Sequence, residues 1–181
     1  MHSKIKPVNR LIGGFFMLSV SFISQLAIAN DKAVEAVIAE HWAWSLENYP
    51  EMRLGYGDQS GNALWTDMSL AAHAQRQETL HKFGQQLSVI EPASLSPATR
   101  LNRRMLLRDL DDERASYAQG LHLMPINMRS GPQHAHGMAE RLPFDSEQDY
   151  RDWLSRLRAL PERLEQYEGL LTEGMATDRV Q

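Results

Sequence analysis

The sequence contains no cysteine among its 181 residues. This absence excludes disulfide frameworks, thiol nucleophiles, iron–sulfur clusters and thiolate zinc sites. Positive charge is also scarce, because 19 lysines and arginines stand against 23 acids, and the net charge of −4 gives no sign of a nucleic-acid binder. With 43% hydrophobic and 23% charged residues, the chain is neither wholly disordered nor a protein of several membrane spans. Its length fits one domain.

The first 29 residues have the pattern of a secretory signal peptide. Lys4, Lys6 and Arg10 make the start basic, an apolar run covers residues 11–23, and the Ala-Ile-Ala segment ending at Ala29 offers the small residues that signal peptidase recognises. We expect cleavage after Ala29 and an acidic mature chain that is periplasmic or secreted. The alternative is an uncleaved anchor helix. The run is short for a membrane span of about 20 residues, so we expect no stable span after cleavage.

Apolar residues of the mature chain recur every three or four positions, which predicts helices and almost no strand. Asp31 is expected to cap a first helix that runs to about Asn48. Residues 51–66 contain three glycines and little periodicity, so they are predicted to form a long loop. A second helix is expected to begin at Asp67 or Ser69 and to end near Ile90.

Two further helices follow, each with a clear start signal. Ser96 followed by proline predicts a third helix over residues 97–118, because serine caps free N–H groups and proline suits the first helical position. Residues 120–145 are predicted to form a second long loop. Ser146 with Asp149 resembles a capping box, and Pro161 is expected to kink or split the helix that follows. The predicted fold is all-α, with about four to five mature helices in an irregular bundle with two long loops, preceded by the signal-peptide helix.

No group of residues forms a complete active site on its own. His134 and His136 lie two apart in a loop and could ligate a metal, but zinc needs three or four ligands, and polar loop residues are the simpler interpretation. The zinc-peptidase pattern His-Glu-x-x-His and the nucleophile-elbow pattern Gly-x-Ser-x-Gly are both absent. We therefore assign no catalytic residue and no metal ligand. Loop 51–66, with Tyr56 and Trp65, is the best exposed candidate for ligand contact.

Several segments resemble one bacterial family, catalogued as Domain of Unknown Function 885, over roughly residues 35–181. The most specific segment is Met124-Pro125-Ile126-Asn127, followed by Gly-Pro. The other matching segments are Trp42-x-Trp44-x-Leu46-x-x-x-Pro50, Leu106-x-Arg108-x-Leu110, and Asp149-Tyr150-x-x-Trp153-Leu154-x-Arg156-Leu157.

The resemblance implies a large, mostly helical, exported protein that is similar to zinc peptidases. Members of the family carry a His-Glu-x-x-Pro-Gly-His-His element in their downstream half, where two histidines would bind zinc and the glutamate would activate water. That element is absent here. We therefore expect residues 30–181 to be the N-terminal helical part of a larger, truncated peptidase-like domain. Its expected partner is the missing C-terminal half, and the short chain is expected to be inactive and partly molten alone.

The same resemblance suggests that loops 51–66 and 120–145 wall a substrate cleft for a peptide. Arg129, His134 and His136 then join Tyr56 and Trp65 as candidate lining residues. Zinc is expected in full-length relatives, and no cofactor is expected in this chain. The alternative interpretation is a stand-alone periplasmic helical module that binds a ligand or a protein partner without zinc. Neither interpretation includes nucleic acid.

Overall fold

The computed structural model describes the backbone of residues 13–179 and the side chains of residues 28–179. Within this part of the chain there are four α-helices and no strands, so the all-α prediction is confirmed. The helices are α1 (Gly13–Asn48), α2 (Leu70–Ser88), α3 (Pro97–Ala118) and α4 (Glu147–Ala176). Short 3₁₀ helices at Pro50–Tyr56, Gln59–Gly61, Pro92–Ser94, Leu121–Leu123 and Pro132–Arg141 connect them.

Three of the predicted helix starts are confirmed by their capping hydrogen bonds. The Ser69 hydroxyl accepts from the Ala72 N–H at the start of α2, and the Ser96 hydroxyl accepts from the Thr99 N–H at the start of α3. Ser146 and Asp149 form a reciprocal capping box at the start of α4. These side chains satisfy N–H groups that have no partner inside the helix.

The predicted start of the first helix is wrong. Helix α1 already begins at Gly13 and runs through Asp31 without a break. Asp31 is not a cap of its own helix, because its carboxylate accepts a hydrogen bond from the Ser96 N–H at 3.0 Å and so joins α1 to the start of α3. The basic residues Lys4, Lys6 and Arg10 of the predicted signal peptide lie outside the described residues.

Pro161 was expected to kink or split the last helix, and the split does not occur, since α4 is one continuous helix. Pro161 lies on the exposed side of α4. There, water can hydrate the carbonyl that a proline leaves without a partner. The two long loops are likewise more ordered than predicted, because 3₁₀ helices occupy Pro50–Tyr56, Gln59–Gly61 and Pro132–Arg141.

The hydrophobic core lies between α1, α2 and α3 and is built from Val34, Leu80, Phe83, Leu87, Leu95 and Leu110. Helix α4 contributes no residue to this cluster. It instead packs mainly against the 3₁₀ segments at Leu121–Leu123 and Pro132–Arg141 and against α2. Helix α2 therefore contacts both the core and α4. Among the described residues, none of the helices combines the length and apolar character that crossing a membrane requires.

Candidate functional site

A cleft of about 500 Å³ opens where the two segments that were predicted as long loops, 51–66 and 120–145, meet α2 and α4. Its volume lies within the range typical of small-molecule sites. The first wall comes from the end of α1 and residues 51–68, the second from residues 130–138, and the floor from α2 and α4. The lining is largely apolar and aromatic, with Tyr49, Met52, Trp65, Met68, Met138 and Tyr167, and its charged groups are Glu51, Arg76 and Arg163.

Arg156 anchors the first wall to α4. Its side chain is fully buried and donates hydrogen bonds from Nε to the Asn62 carbonyl and from Nη2 to the Gly61 carbonyl at 2.8 Å. Its guanidinium carbon lies 4.6 Å from the centroid of the Trp65 ring, and the Trp65 indole N–H donates to the Arg156 carbonyl at 2.9 Å. These bonds use two of its three nitrogens and offset part of the cost of burying the charge, while Nη1 has no hydrogen-bond partner among the described residues. The contacts fix the position of Trp65 at the cleft.

A second arginine of α4, about two helical turns after Arg156, holds the same wall. Arg163 forms an ion pair with Glu51 at 3.2 Å and donates to the Thr66 carbonyl at 3.0 Å. The Glu51 carboxylate also accepts hydrogen bonds from the backbone N–H and the hydroxyl of Thr66. Because Arg163 also lies 4.6 Å from the Trp65 ring centroid, the wall is held by both polar and cation–π contacts.

The second wall is held by hydrogen bonds within its own turn. The Asn127 side chain accepts from the N–H groups of Arg129 and Ser130, and the Gln133 amide donates to the Asn127 carbonyl at 2.7 Å. Gly131 has a φ of 133°, a conformation that side chains rarely adopt, so glycine is required at this bend. Met138 then inserts as the buried residue of the Pro132–Arg141 segment.

The floor of the cleft places a histidine and an arginine one turn apart on α2. Burial lowers the pKa of His73 to about 4, and the nearby positive charge of Arg76 acts in the same direction. The Arg76 side chain is 5% exposed, and its Nη1 donates to the Asp67 carbonyl at 2.9 Å. His73 and Tyr49 also line a neighbouring cleft of about 290 Å³, in which burial raises the pKa of Glu113.

The structure brings two of the five predicted site residues to the cleft. Trp65 and His134 line it. Tyr56 does not, because its ring packs edge-on against Trp42 at a centroid distance of 4.7 Å. Arg129 and His136 are exposed and do not line this cleft.

Several cleft residues were absent from the predicted set, namely Tyr49, Glu51, Arg76, Arg163 and Tyr167. Four of them lie on or beside α-helices, whereas the predicted site residues were chosen only from the two loops. Arg163 and Tyr167 are four residues apart on α4, a spacing that places side chains on one face of a helix. That spacing is visible in the sequence, but the pairing of this face with the loops is not.

The residues described do not fit a zinc site. His134 Nε2 lies 3.1 Å from the Met128 carbonyl and His136 Nδ1 lies 3.0 Å from the Gln133 carbonyl, so each imidazole is engaged separately within the loop. Across residues 28–179, no three His, Asp or Glu side chains converge into a group that could hold a metal. Zinc binding through three protein ligands needs such a group.

Comparison with known proteins gives one match. A family model described as a bacterial protein of unknown function, DUF885, matches residues 50–181, which include both walls of the cleft and three of the four α-helices. No curated protein and no solved structure matches the chain.

Proposed function

The chain belongs to the DUF885 family of bacterial proteins, and from that premise we propose that its cleft binds the peptide substrate of an exported, zinc-dependent peptidase-like protein. In this proposal, residues 30–181 form the N-terminal, substrate-binding part of a larger domain. The zinc and the catalytic glutamate belong to the His-Glu-x-x-Pro-Gly-His-His element of the family's downstream half. This chain's own residues bind and orient a peptide, and we expect no hydrolysis by the chain alone.

The observation that carries the proposal is the composition of the 500 Å³ cleft. Three methionines and three aromatic rings line it and suit apolar peptide side chains, because thioethers adapt to different shapes. The cations Arg76 and Arg163 provide polar contacts among these apolar groups. A few fixed polar groups in an apolar cleft are the usual arrangement of a ligand site.

The contacts near the expected signal cleavage site are compatible with cleavage after Ala29. Asn30 donates to the Ser94 hydroxyl at 2.9 Å, and Asp31 accepts from the Ser96 N–H. The preceding Ile28 and Ala29 are exposed. Cleavage after Ala29 would therefore keep both contacts, which join α1 to the Pro92–Ser94 segment and to the N-cap of α3.

Calorimetric titration of the full chain with the peptide N-acetyl-Ala-Leu-Phe tests the proposal. Ala135 lines the cleft, so Ala135→Trp should fill it and abolish binding. The neighbouring His136 is exposed and does not line the cleft, so His136→Trp should bind like the wild type and serves as the control. Absence of wild-type binding, or equal binding by Ala135→Trp, would refute the proposal. A zinc chelator should leave the binding unchanged.

A further inference from the structure

Arg76 is a buried cation with an unused hydrogen-bonding edge beside the cleft. One amino group, Nη1, donates to the Asp67 carbonyl, while Nη2 is shielded from water and has no hydrogen-bond partner among the described residues. The guanidinium carbon lies 5.5 Å from the centroid of the Tyr49 ring. These contacts hold the guanidinium in place and leave Nη2 without a partner, and Nε forms no hydrogen bond with the described residues.

The acids near Arg76 do not neutralise it by direct contact. Within residues 28–179, no carboxylate forms an ion pair with Arg76, since Glu51 pairs with Arg163 and the Asp67 carboxylate accepts from the Ser69 N–H. Glu113 lies on the side of the neighbouring cleft and interacts with Arg76 only at longer range. The cleft lining therefore holds two arginines and one glutamate, and its excess charge is positive.

A buried guanidinium without a directly paired anion is unfavourable, because longer-range attraction, here to Glu113, offsets only part of its desolvation. Arginine presents two parallel N–H groups that match a carboxylate in geometry. We infer that Arg76 binds the carboxylate of the ligand, so that the cleft recognises a peptide's free C-terminus beside an apolar side chain. This inference rests on the proposed function and adds the substrate class.

The surroundings favour a carboxylate over a phosphate. Only one edge of one guanidinium is free, whereas a doubly charged phosphate is normally held by several cations or N–H groups. The neighbouring lining residues Met52, Met68 and Met138 offer no charge and suit the apolar side chain that accompanies a peptide carboxylate.

The test compares N-acetyl-Ala-Leu-Phe with its C-terminal amide on the wild-type full chain, by calorimetry at constant ionic strength. A hydrogen bond to a charged group contributes about 1.5–3 kcal/mol, so the acid should bind about tenfold to 100-fold more tightly than the amide. The carboxylate could belong to a peptide or to a single amino acid, and N-acetyl-phenylalanine distinguishes the two. A site for single amino acids would bind it as tightly as the peptide. We expect it to bind more weakly.

Variants locate the contact. Arg76→Met should remove the preference for the acid, while Arg103→Met should keep it, since Arg103 donates to the Leu87 carbonyl away from the cleft. Equal wild-type affinity for acid and amide overturns the inference and leaves peptide binding intact. Retention of the preference in Arg76→Met also overturns it. If neither peptide binds, the proposed function itself fails.

Discussion

Replacing Arg156 with methionine tests how the first wall of the cleft is held. The substitution keeps an unbranched side chain of similar length and removes the guanidinium, which donates to the carbonyls of Asn62 and Gly61 and lies against the Trp65 ring. Both carbonyls would lose their buried donor, and the Trp65 ring would lose one of its two cations.

The expected destabilisation follows from these contacts. Two hydrogen bonds from a charged donor contribute about 3–6 kcal/mol together. Part of this is offset because methionine has no charge to desolvate, and burial is the main cause of the lowered pKa of Arg156. A net loss of about 2–4 kcal/mol is therefore expected. For a domain of this size, the melting temperature should fall by about 4–16 °C.

Urea unfolding followed by circular dichroism measures this loss directly. Arg158→Met is the matched control, since Arg158 lies two residues further along the same helix and is exposed, and it should change the free energy of unfolding by no more than about 0.5 kcal/mol. Equal stability of Arg156→Met and Arg158→Met would refute the conclusion that Arg156 anchors residues 61–65.

Two further predictions concern the backbone at Gly61 and the half-buried His73. Gly61→Ala should lower the free energy of unfolding in urea by about 1–3 kcal/mol, because a Cβ at this position would lie 2.5 Å from the Pro50 carbonyl oxygen. Gly55→Ala is the control, since a Cβ there would have no atom within 4 Å and should not clash. Equal changes in the free energy of unfolding for the two variants would contradict this prediction. Because burial lowers the pKa of His73 from 6.5 to about 4, its neutral form contributes stability that is complete above pH 6.5 and is lost as the pH falls toward 4. The loss of stability between pH 7 and pH 4 should therefore be smaller in His73→Gln, whereas the exposed His81→Gln should behave like the wild type.

The helices could be predicted where local chemistry decides their ends. Ser96 and Ser146 cap their helices through hydrogen bonds within four residues of the chain, so the sequence alone carries the signal. Asp31 shows where this reasoning fails, since a good capping residue was instead used for a contact 65 residues away. Pro161 shows the same limit, because its exposure on α4 depends on tertiary packing.

The candidate site was predicted in part for the same reason. Composition identified the two irregular segments as exposed, and Trp65 and His134 do line the cleft. Tyr56 belongs to the same segment, but the left-handed Gly57 ends its 3₁₀ turn, and the Tyr56 ring packs against Trp42 instead. The arginines of the site could not be assigned, because an arginine on a helix is usually solvated and only the packing of α4 against residues 61–66 buries Arg156.

Photo-crosslinking tests the central claim, that the cleft binds peptides, most directly. N-acetyl-Ala-Leu-Phe carrying a diazirine on its leucine is irradiated with the full chain, and the adducts are mapped by mass spectrometry. We expect adducts on residues that line the cleft, and their loss in the presence of excess unlabelled peptide. These residues are Tyr49, Glu51, Met52, Trp65, Thr66, Met68, Ser130, Pro132, His134, Ala135, Met138, Arg163 and Tyr167. Adducts concentrated on the exposed apolar residues of α4, Tyr150, Leu154, Leu157 and Leu164, would contradict the claim.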